Sequence, residues 1–181
     1  MTLRRGAELA TAGLGEGALL LAVAAAGWAT RQPLIFASLG PTAYELVERP
    51  RDRSARTYNI IVGHFLGLGS GFLAVFLMHA RNSPNVLQTG IVDPPRLWAS
   101  VLAAVLTTLL TLALRAGQPA AIATSLLVAL GSMQTARDAV AIAAAVLLIA
   151  AIGQPMRHLR MQVMTGVRRS TVTPQPAPSQ H

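Results

Sequence analysis

Long apolar runs separated by short, arginine-marked loops constrain this chain more than any other feature. Six runs stand out: Thr11 to Ala29, Pro33 to Val47, Ile60 to Ala80, Leu97 to Leu114, Pro119 to Met133 and Ala139 to Met156. A bilayer core of roughly 30 Å takes about 20 helical residues to cross. The first, third, fourth and sixth runs meet that length; the second and fifth are shorter. Composition leads the same way. Hydrophobic residues make up 52% of the 181 residues and charged residues 12%, about half the charged share of a soluble domain. A chain this short cannot hide so much apolar surface in one soluble core.

All 15 basic residues are arginine, and the net charge is +8. The arginines flank apolar runs and form no soluble basic face, so they read as topology markers and not as a nucleic-acid surface. If all six runs cross with the N-terminus inside, 11 arginines lie inside and 4 outside. If only the four long runs cross, the ERPRDRSAR loop moves outside and the count becomes 8 against 7. Six crossings, with both termini in the cytoplasm of an inner (plasma) membrane, are the more polarised arrangement. The expected fold is an all-α membrane bundle of four long and two short hydrophobic segments, the short ones being half-helices, re-entrant elements or full crossings.

Each short run opens at a Gln-Pro pair, Gln32-Pro33 and Gln118-Pro119. Proline suits the first turn of a helix, where its missing N–H leaves nothing unsatisfied, so both pairs read as helix starts. Each half of the chain then reads long, short, long. GWATRQPLIFASLGPTA and TLALRAGQPAAIATSLL share Arg, Gln-Pro and small residues with Thr, and Ala55-Arg56 and Ala136-Arg137 each precede a long run. Three crossings per half would invert one half relative to the other, as in many secondary transporters. Around a transmembrane domain at 11–156 the expected boundaries are a cytoplasmic segment at 1–10 and a tail at 157–181, basic and then disordered. The first run is not expected to be a cleaved leader, because Glu8 and Glu16 interrupt it and no small-x-small site precedes Arg31.

Few residues offer chemistry. In FASLGPTAYEL, Ser38, Gly40 and Thr42 are poor choices for a lipid-facing helix, and Gly40-Pro41 loosens the backbone. They read either as a polar, partly unwound lining for a small solute or as a kinked packing surface. Gly63, Gly67 and Gly71 form two overlapping Gly-x-x-x-Gly units, a face for close helix packing. His64 beside them is an ionisable group inside an apolar run, hence a candidate proton relay or solute contact; a neutral structural hydrogen bond is the blander role. Gln118 and Thr124 place an amide and a hydroxyl on the second short helix, whose N-terminus would attract an anion. Glu16, Glu45 and Asp138 lie near run ends, where interfacial placement is expected. There is no Cys, and His79, His158 and His181 are too scattered for a metal site. No nucleophile elbow, Walker loop or HExxH occurs, so neither a cofactor, a metal nor an enzymatic activity is expected.

FASLGPTA, the arginine loop and IIVGH together resemble the opening of the HPP family of integral membrane proteins. That family is named for a His-Pro-Pro motif beginning a run like HPPAGATAL. The matching run here is QPAAIATSL: Gln118 stands at the His, Ala120 at the second Pro and Ile122 at a Gly, while Pro119, Ala121, Ala123, Thr124 and Leu126 agree. The resemblance extends from the first run to Met156. It implies four transmembrane helices, against the six favoured by arginine placement unless the short segments went uncounted. Some members are implicated in nitrite transport, so it also implies passage of a small anion. The expected function is therefore a membrane transporter or channel for a small anion such as nitrite, with Ser38, Gly40, Thr42, His64, Gln118 and Thr124 as the substrate site. A structural or accessory membrane subunit is the alternative. The expected partners are the bilayer, the solute and, given the glycine faces, a second copy of the chain; nucleic acid is not among them.

Overall fold

A computed structural model describes residues 3–171. All its regular elements are helical: α1 (Leu3–Thr30), α2 (Leu39–Glu48), α3 (Thr57–Leu77), the four-residue α4 (Val86–Thr89), α5 (Pro94–Ala113), α6 (Pro119–Ala129) and α7 (Ala136–Thr171), with a 3-10 turn at Ala80–Asn82. Four helices, α1, α3, α5 and α7, contain stretches long and apolar enough to cross a bilayer, and α6 is a shorter apolar helix. The expected four-long, two-short plan is the observed one.

Local chemistry explains the ends. After α1, Arg31 N–H donates to Trp28 O and Gln32 N–H to Gly27 O, with Arg31 at φ 52°. After α5, Arg115 N–H donates to Leu112 O and Ala116 N–H to Thr111 O, with Arg115 again at φ 52°. Both are the two-bond cap that closes a helix through one left-handed residue. Here an arginine occupies the position where glycine is usual. The two long helices that precede the Gln-Pro pairs therefore stop in the same way.

Gln118-Pro119 does open a helix, with Gln118 at the N-cap and Pro119 in the first turn. Gln32-Pro33 does not, and that expectation is corrected. Residues 33–36 have no regular structure, 37–38 form a turn, and α2 begins only at Leu39. Pro41 thus sits in the first turn of α2, where it breaks nothing. The unwound stretch expected at Gly40-Pro41 lies just upstream instead. Two of the helices also extend beyond the apolar runs. α1 starts at Leu3 and so takes in most of the expected N-terminal segment. The basic residues after Met156 continue α7 as far as Thr171, through Pro155. The expected disordered end lies, from residue 172 on, outside the described residues.

Side-chain contacts sort the connections into two ends. At one end Gln118 Nε2 donates to Ser54 O, Gln154 Nε2 to Ala55 O, Arg157 Nε to Pro50 O, Asn59 Nδ2 to Gly117 O, and Arg160 to Val47 O and Thr11 Oγ1. At the other, Arg137 Nε donates to Gln32 Oε1, Val86 N to Leu130 O, and Arg96 to Ser83 O and Ala129 O. The chain passes from one end of the described structure to the other six times; α6 alone is only about 16 Å long. Residues 33–38 can span up to about 20 Å and α2 about 15 Å, together enough for the roughly 30 Å core. The end with Arg49, Arg51, Arg53, Arg56, Arg115, Arg157 and Arg160 is the arginine-rich one.

The two halves run in opposite senses and interlock. α1 packs on α2 and α7, and α5 on α6 and α3; α2 also meets α7, α6 meets α3, and the pairs α2–α6 and α3–α7 cross. Exchanging α1, α2 and α3 with α5, α6 and α7 leaves this set of neighbours unchanged. The first helix of each half packs on the third helix of the other, so neither half has a core of its own.

Candidate functional site

The centre of the molecule is polar. Ser38, Thr42, His64 and Thr124, from α3, α6 and the start of α2, are all buried, His64 with only 1% of its surface exposed. Thr42 Oγ1 lies 2.9 Å from His64 Nε2, His64 Nδ1 lies 2.7 Å from Thr124 Oγ1, and Thr124 Oγ1 lies 2.8 Å from Ser38 Oγ. Thr42 Oγ1 also donates to Ser38 O at 3.2 Å, and Thr124 Oγ1 to Ala120 O at 3.3 Å.

A neutral imidazole has one donor and one acceptor nitrogen, and both tautomers fit. With the proton on Nε2, Ser38 donates to Thr124, Thr124 to His64, His64 to Thr42, and Thr42 to the Ser38 carbonyl. With it on Nδ1, His64 and Ser38 both donate to Thr124, which turns to Ala120 O while Thr42 donates to His64. No buried donor is stranded either way, so the cluster is a reversible chain of hydrogen bonds.

Close helix approach makes this possible. A Cβ at Gly63 would lie 2.6 Å from Gln118 Cβ, one at Gly71 would lie 2.8 Å from Ser125 O and from Val128 Cβ, and one at Gly67 would collide with Ala121 O. The three glycines bring the backbones of α3 and α6 together. That contact carries His64 to Thr124.

Of the six candidate residues, four thus meet directly. Gly40 is half-buried, and a Cβ there would meet nothing within 4 Å. Gln118 lies at the arginine-rich end, buried, with Nε2 3.4 Å from Ser54 O and Oε1 unpartnered. The two Gln-Pro pairs stay at opposite ends, Gln32 beside Arg137 and Gln118 beside Ser54. What meets instead is Ser38 and Thr124, each the sixth residue after its Gln. They are equivalent positions, counted from the Gln-Pro pairs, and they are in contact.

Each short helix ends on a buried arginine that the sequence alone did not single out. Arg96, 1% exposed, donates to Ala129 O at the end of α6 and to Ser83 O and Pro84 O. Arg160 donates to Val47 O near the end of α2, and its NH2 lies 3.2 Å from Glu48 Oε1. A cation at a helix C-terminus satisfies free carbonyls and the dipole together. Gln154 was also missed, although Gln154-Pro155 repeats the pair that marks both short segments; its amide holds the carbonyl next to the one Gln118 holds.

Near the other end, an open cavity of about 720 Å³ is lined by Ala24, Gly27, Trp28, Arg31, Gln32 and Ile35, among others. It runs beside the irregular stretch that leads to Ser38. Among the described residues, no group of three or more His, Asp or Glu side chains is placed to hold a metal ion.

Six transits, two half-length helices meeting near the middle, and inverted halves define a polytopic helical membrane protein. The family model for the HPP transmembrane region matches residues 3–162. The chain belongs to the HPP family. Neither a curated protein nor a solved structure matches it significantly.

Proposed function

We propose that this protein is a transporter or channel for a small solute, with a small anion such as nitrite the first to test. The observation that carries the reading is the cluster of Ser38, Thr42, His64 and Thr124 at the crossing of the two halves. Polar side chains buried at membrane depth are costly. A site offering three hydroxyls and an imidazole, whose donors can be redirected without loss, suits an oxygen-rich anion that takes one or two hydrogen bonds. The irregular stretch 33–38 adds support. Backbone of this kind at membrane depth lines water or lies within protein, and here it leads from the cavity beside Arg31 to Ser38. The sealed cluster is then the occluded state. By the positive-inside rule the arginine-rich end faces the cytoplasm of the inner membrane, which puts both termini there.

A second reading rests on the same cluster. Its members satisfy one another's hydrogen bonds, as expected of a packing clamp in an accessory subunit. Flux separates the two. Purified protein in liposomes is tested with nitrite, nitrate and formate, beside His64→Ala and Thr124→Val variants. Transport predicts flux above that of protein-free liposomes and its loss in both variants. Flux no greater than in protein-free liposomes for every anion sinks the transport reading. Flux that survives both substitutions moves the site elsewhere.

A further inference from the structure

We propose that residues 32–37 are the gate of the solute route at the arginine-poor end, with Arg137 as its latch; the gating role rests on the transport function proposed above. The stretch is an arm between two fixed points. At one end Arg31 turns the chain at φ 52°, and Gln32 N–H donates to Gly27 O at 3.0 Å. At the other, Leu39 N–H donates to Phe36 O at 3.0 Å and α2 begins. Between these points burial alternates: Leu34, Phe36 and Ser38 are buried, while Pro33, Ile35 and Ala37 are exposed. Leu34 and Phe36 thus stand on the inward side of the arm ahead of Ser38, where they close the approach to the polar cluster.

The arm itself is lightly held. Leu34 N–H makes a tight turn to Gln32 O. Among the described residues the N–H groups of Ile35, Phe36 and Ala37 have no hydrogen-bond partner. Exposed backbone in that state at membrane depth borders water and not lipid. Space lies on both sides. The cavity of about 720 Å³ beside α1 is lined by Arg31, Gln32, Pro33 and Ile35. A second cavity, of about 470 Å³, lies against α7 and is lined by Gln32, Leu34, Arg137, Val140 and Ala144.

One side chain of α7 ties the arm down between these cavities. Arg137 Nε donates to Gln32 Oε1 at 3.1 Å, and its Nη2 to Arg31 O at 3.4 Å. Among the described residues no other side chain hydrogen-bonds residues 31–37. Arg137 is exposed and Gln32 half-buried, so water takes over both groups when the bond opens, and the net loss is small. A latch needs such a bond. The buried Arg96 and Arg160, fixed on carbonyls near helix ends, do not provide one. The second half has no equivalent arm, because α6 follows Gln118 at once and Gln118 is held to Ser54 O.

The test uses the full chain, which has no native cysteine. Ser38→Cys keeps the shape of a fully buried residue. It reports opening when a membrane-impermeant thiosulfonate is added at the arginine-poor side of proteoliposomes. Arg137→Leu and Gln32→Leu, each in that background, should raise the labelling rate roughly two- to tenfold, the contribution of one hydrogen bond. The double variant should gain no more than either alone, since both remove the same bond. Ser70→Cys, buried in α3 with its hydroxyl unpartnered, controls for loosening of the whole fold and should stay unlabelled throughout. An unchanged Ser38→Cys rate, additive effects, or equal labelling of Ser70→Cys overturns the latch. Flux supplies a second readout. With Ser38 intact, Gln32→Cys and Arg137→Cys are joined by a reducible bifunctional thiosulfonate. The joined protein should lose nitrite flux above that of protein-free liposomes, and a reducing thiol should restore it. Flux that continues in the joined protein overturns the gate. Labelling as expected, with no flux in the unmodified protein, retires transport and gating together and leaves Arg137 as the tie of the arm.

Discussion

Replacing Gly67 by alanine tests the α3–α6 contact on which the polar cluster depends. A Cβ at Gly67 collides with the Ala121 carbonyl oxygen and lies only 3.0 Å from the carbonyl carbon. The obstacle is backbone, so no side-chain rotation relieves it. The helices must part by on the order of 1 Å, which forfeits about a quarter to a half of the dispersion energy along the seam. Overpacking of this kind costs about 1–3 kcal/mol, while alanine in place of glycine within a helix returns about 1 kcal/mol. The expected net loss is up to about 2 kcal/mol, as much as a roughly thirtyfold change in the folded-to-unfolded ratio. Gly69 supplies the control. It lies two residues further along the same helix, and a Cβ there meets nothing within 4 Å. Gly69→Ala should therefore gain about 0.5–1 kcal/mol. Reversible unfolding in mixed micelles measures both. Separation should also stretch the 2.7 Å contact of His64 Nδ1 with Thr124 Oγ1 beyond hydrogen-bonding range, which nitrogen chemical shifts of the imidazole report. A Gly67→Ala protein as stable as Gly69→Ala, with its imidazole shifts unmoved, would refute the reasoning.

Three further outcomes are expected. Thr124→Val strands His64 and Ser38 at about 1–3 kcal/mol for each buried polar group left unpaired, whereas Thr124→Ser keeps the hydroxyl and should lose less than half as much in the same unfolding assay. Arg96→Lys cannot serve Ser83 O, Pro84 O and Ala129 O from one ammonium; with two carbonyls released, a loss of about 2–4 kcal/mol is expected, and unchanged stability would remove Arg96 as the cap of α6. Single cysteines at Ser54 and Asn82, in a chain with no native cysteine, should be labelled from opposite sides of the membrane; labelling from one side excludes the six-transit fold.

Hydrophobic run length and arginine placement made the long helices and the alternation of ends legible, because bilayer thickness and loop charge act directly on sequence. The polar cluster was legible residue by residue, since Ser38, Thr42, His64 and Thr124 each cost energy against lipid. Their meeting was not, because it depends on α2 beginning six residues after Pro33. Nothing local distinguishes Gln32-Pro33 from Gln118-Pro119, yet only the second opens a helix. The difference is tertiary: residues 32–34 fold back on α1 at Gly27, where a Cβ would lie 2.9 Å from Gln32 O and 3.3 Å from Leu34 Cβ. Arg96 and Arg160 read as loop charges because their use depends on carbonyls at helix ends, which no linear pattern marks.

The departures from symmetry bear on function more than the symmetry does. Packing alone would be satisfied by equal residues in the two halves, and much of the interior meets that condition: the arginine-capped long helices match, and Ser38 faces Thr124. Counting from the shared Gln-Pro pairs, Thr42 corresponds to Val128. Counting from Ala55-Arg56 and Ala136-Arg137, His64 corresponds to Ala145. Val128 and Ala145 are as fully buried as their polar counterparts, so the second half shows that an apolar pair fills these places without difficulty. The first half spends a histidine and a threonine there, and alone unwinds the six residues that lead to them. A buried hydroxyl–imidazole pair contributes little net stability over an apolar one, which leaves packing with no account of why one half retains it. Replacing the pair by apolar residues of similar size, Thr42→Val with His64→Leu, should therefore leave folding within about 1–3 kcal/mol of the unmodified protein while abolishing solute flux. Global unfolding of that variant would return the cluster to a structural role.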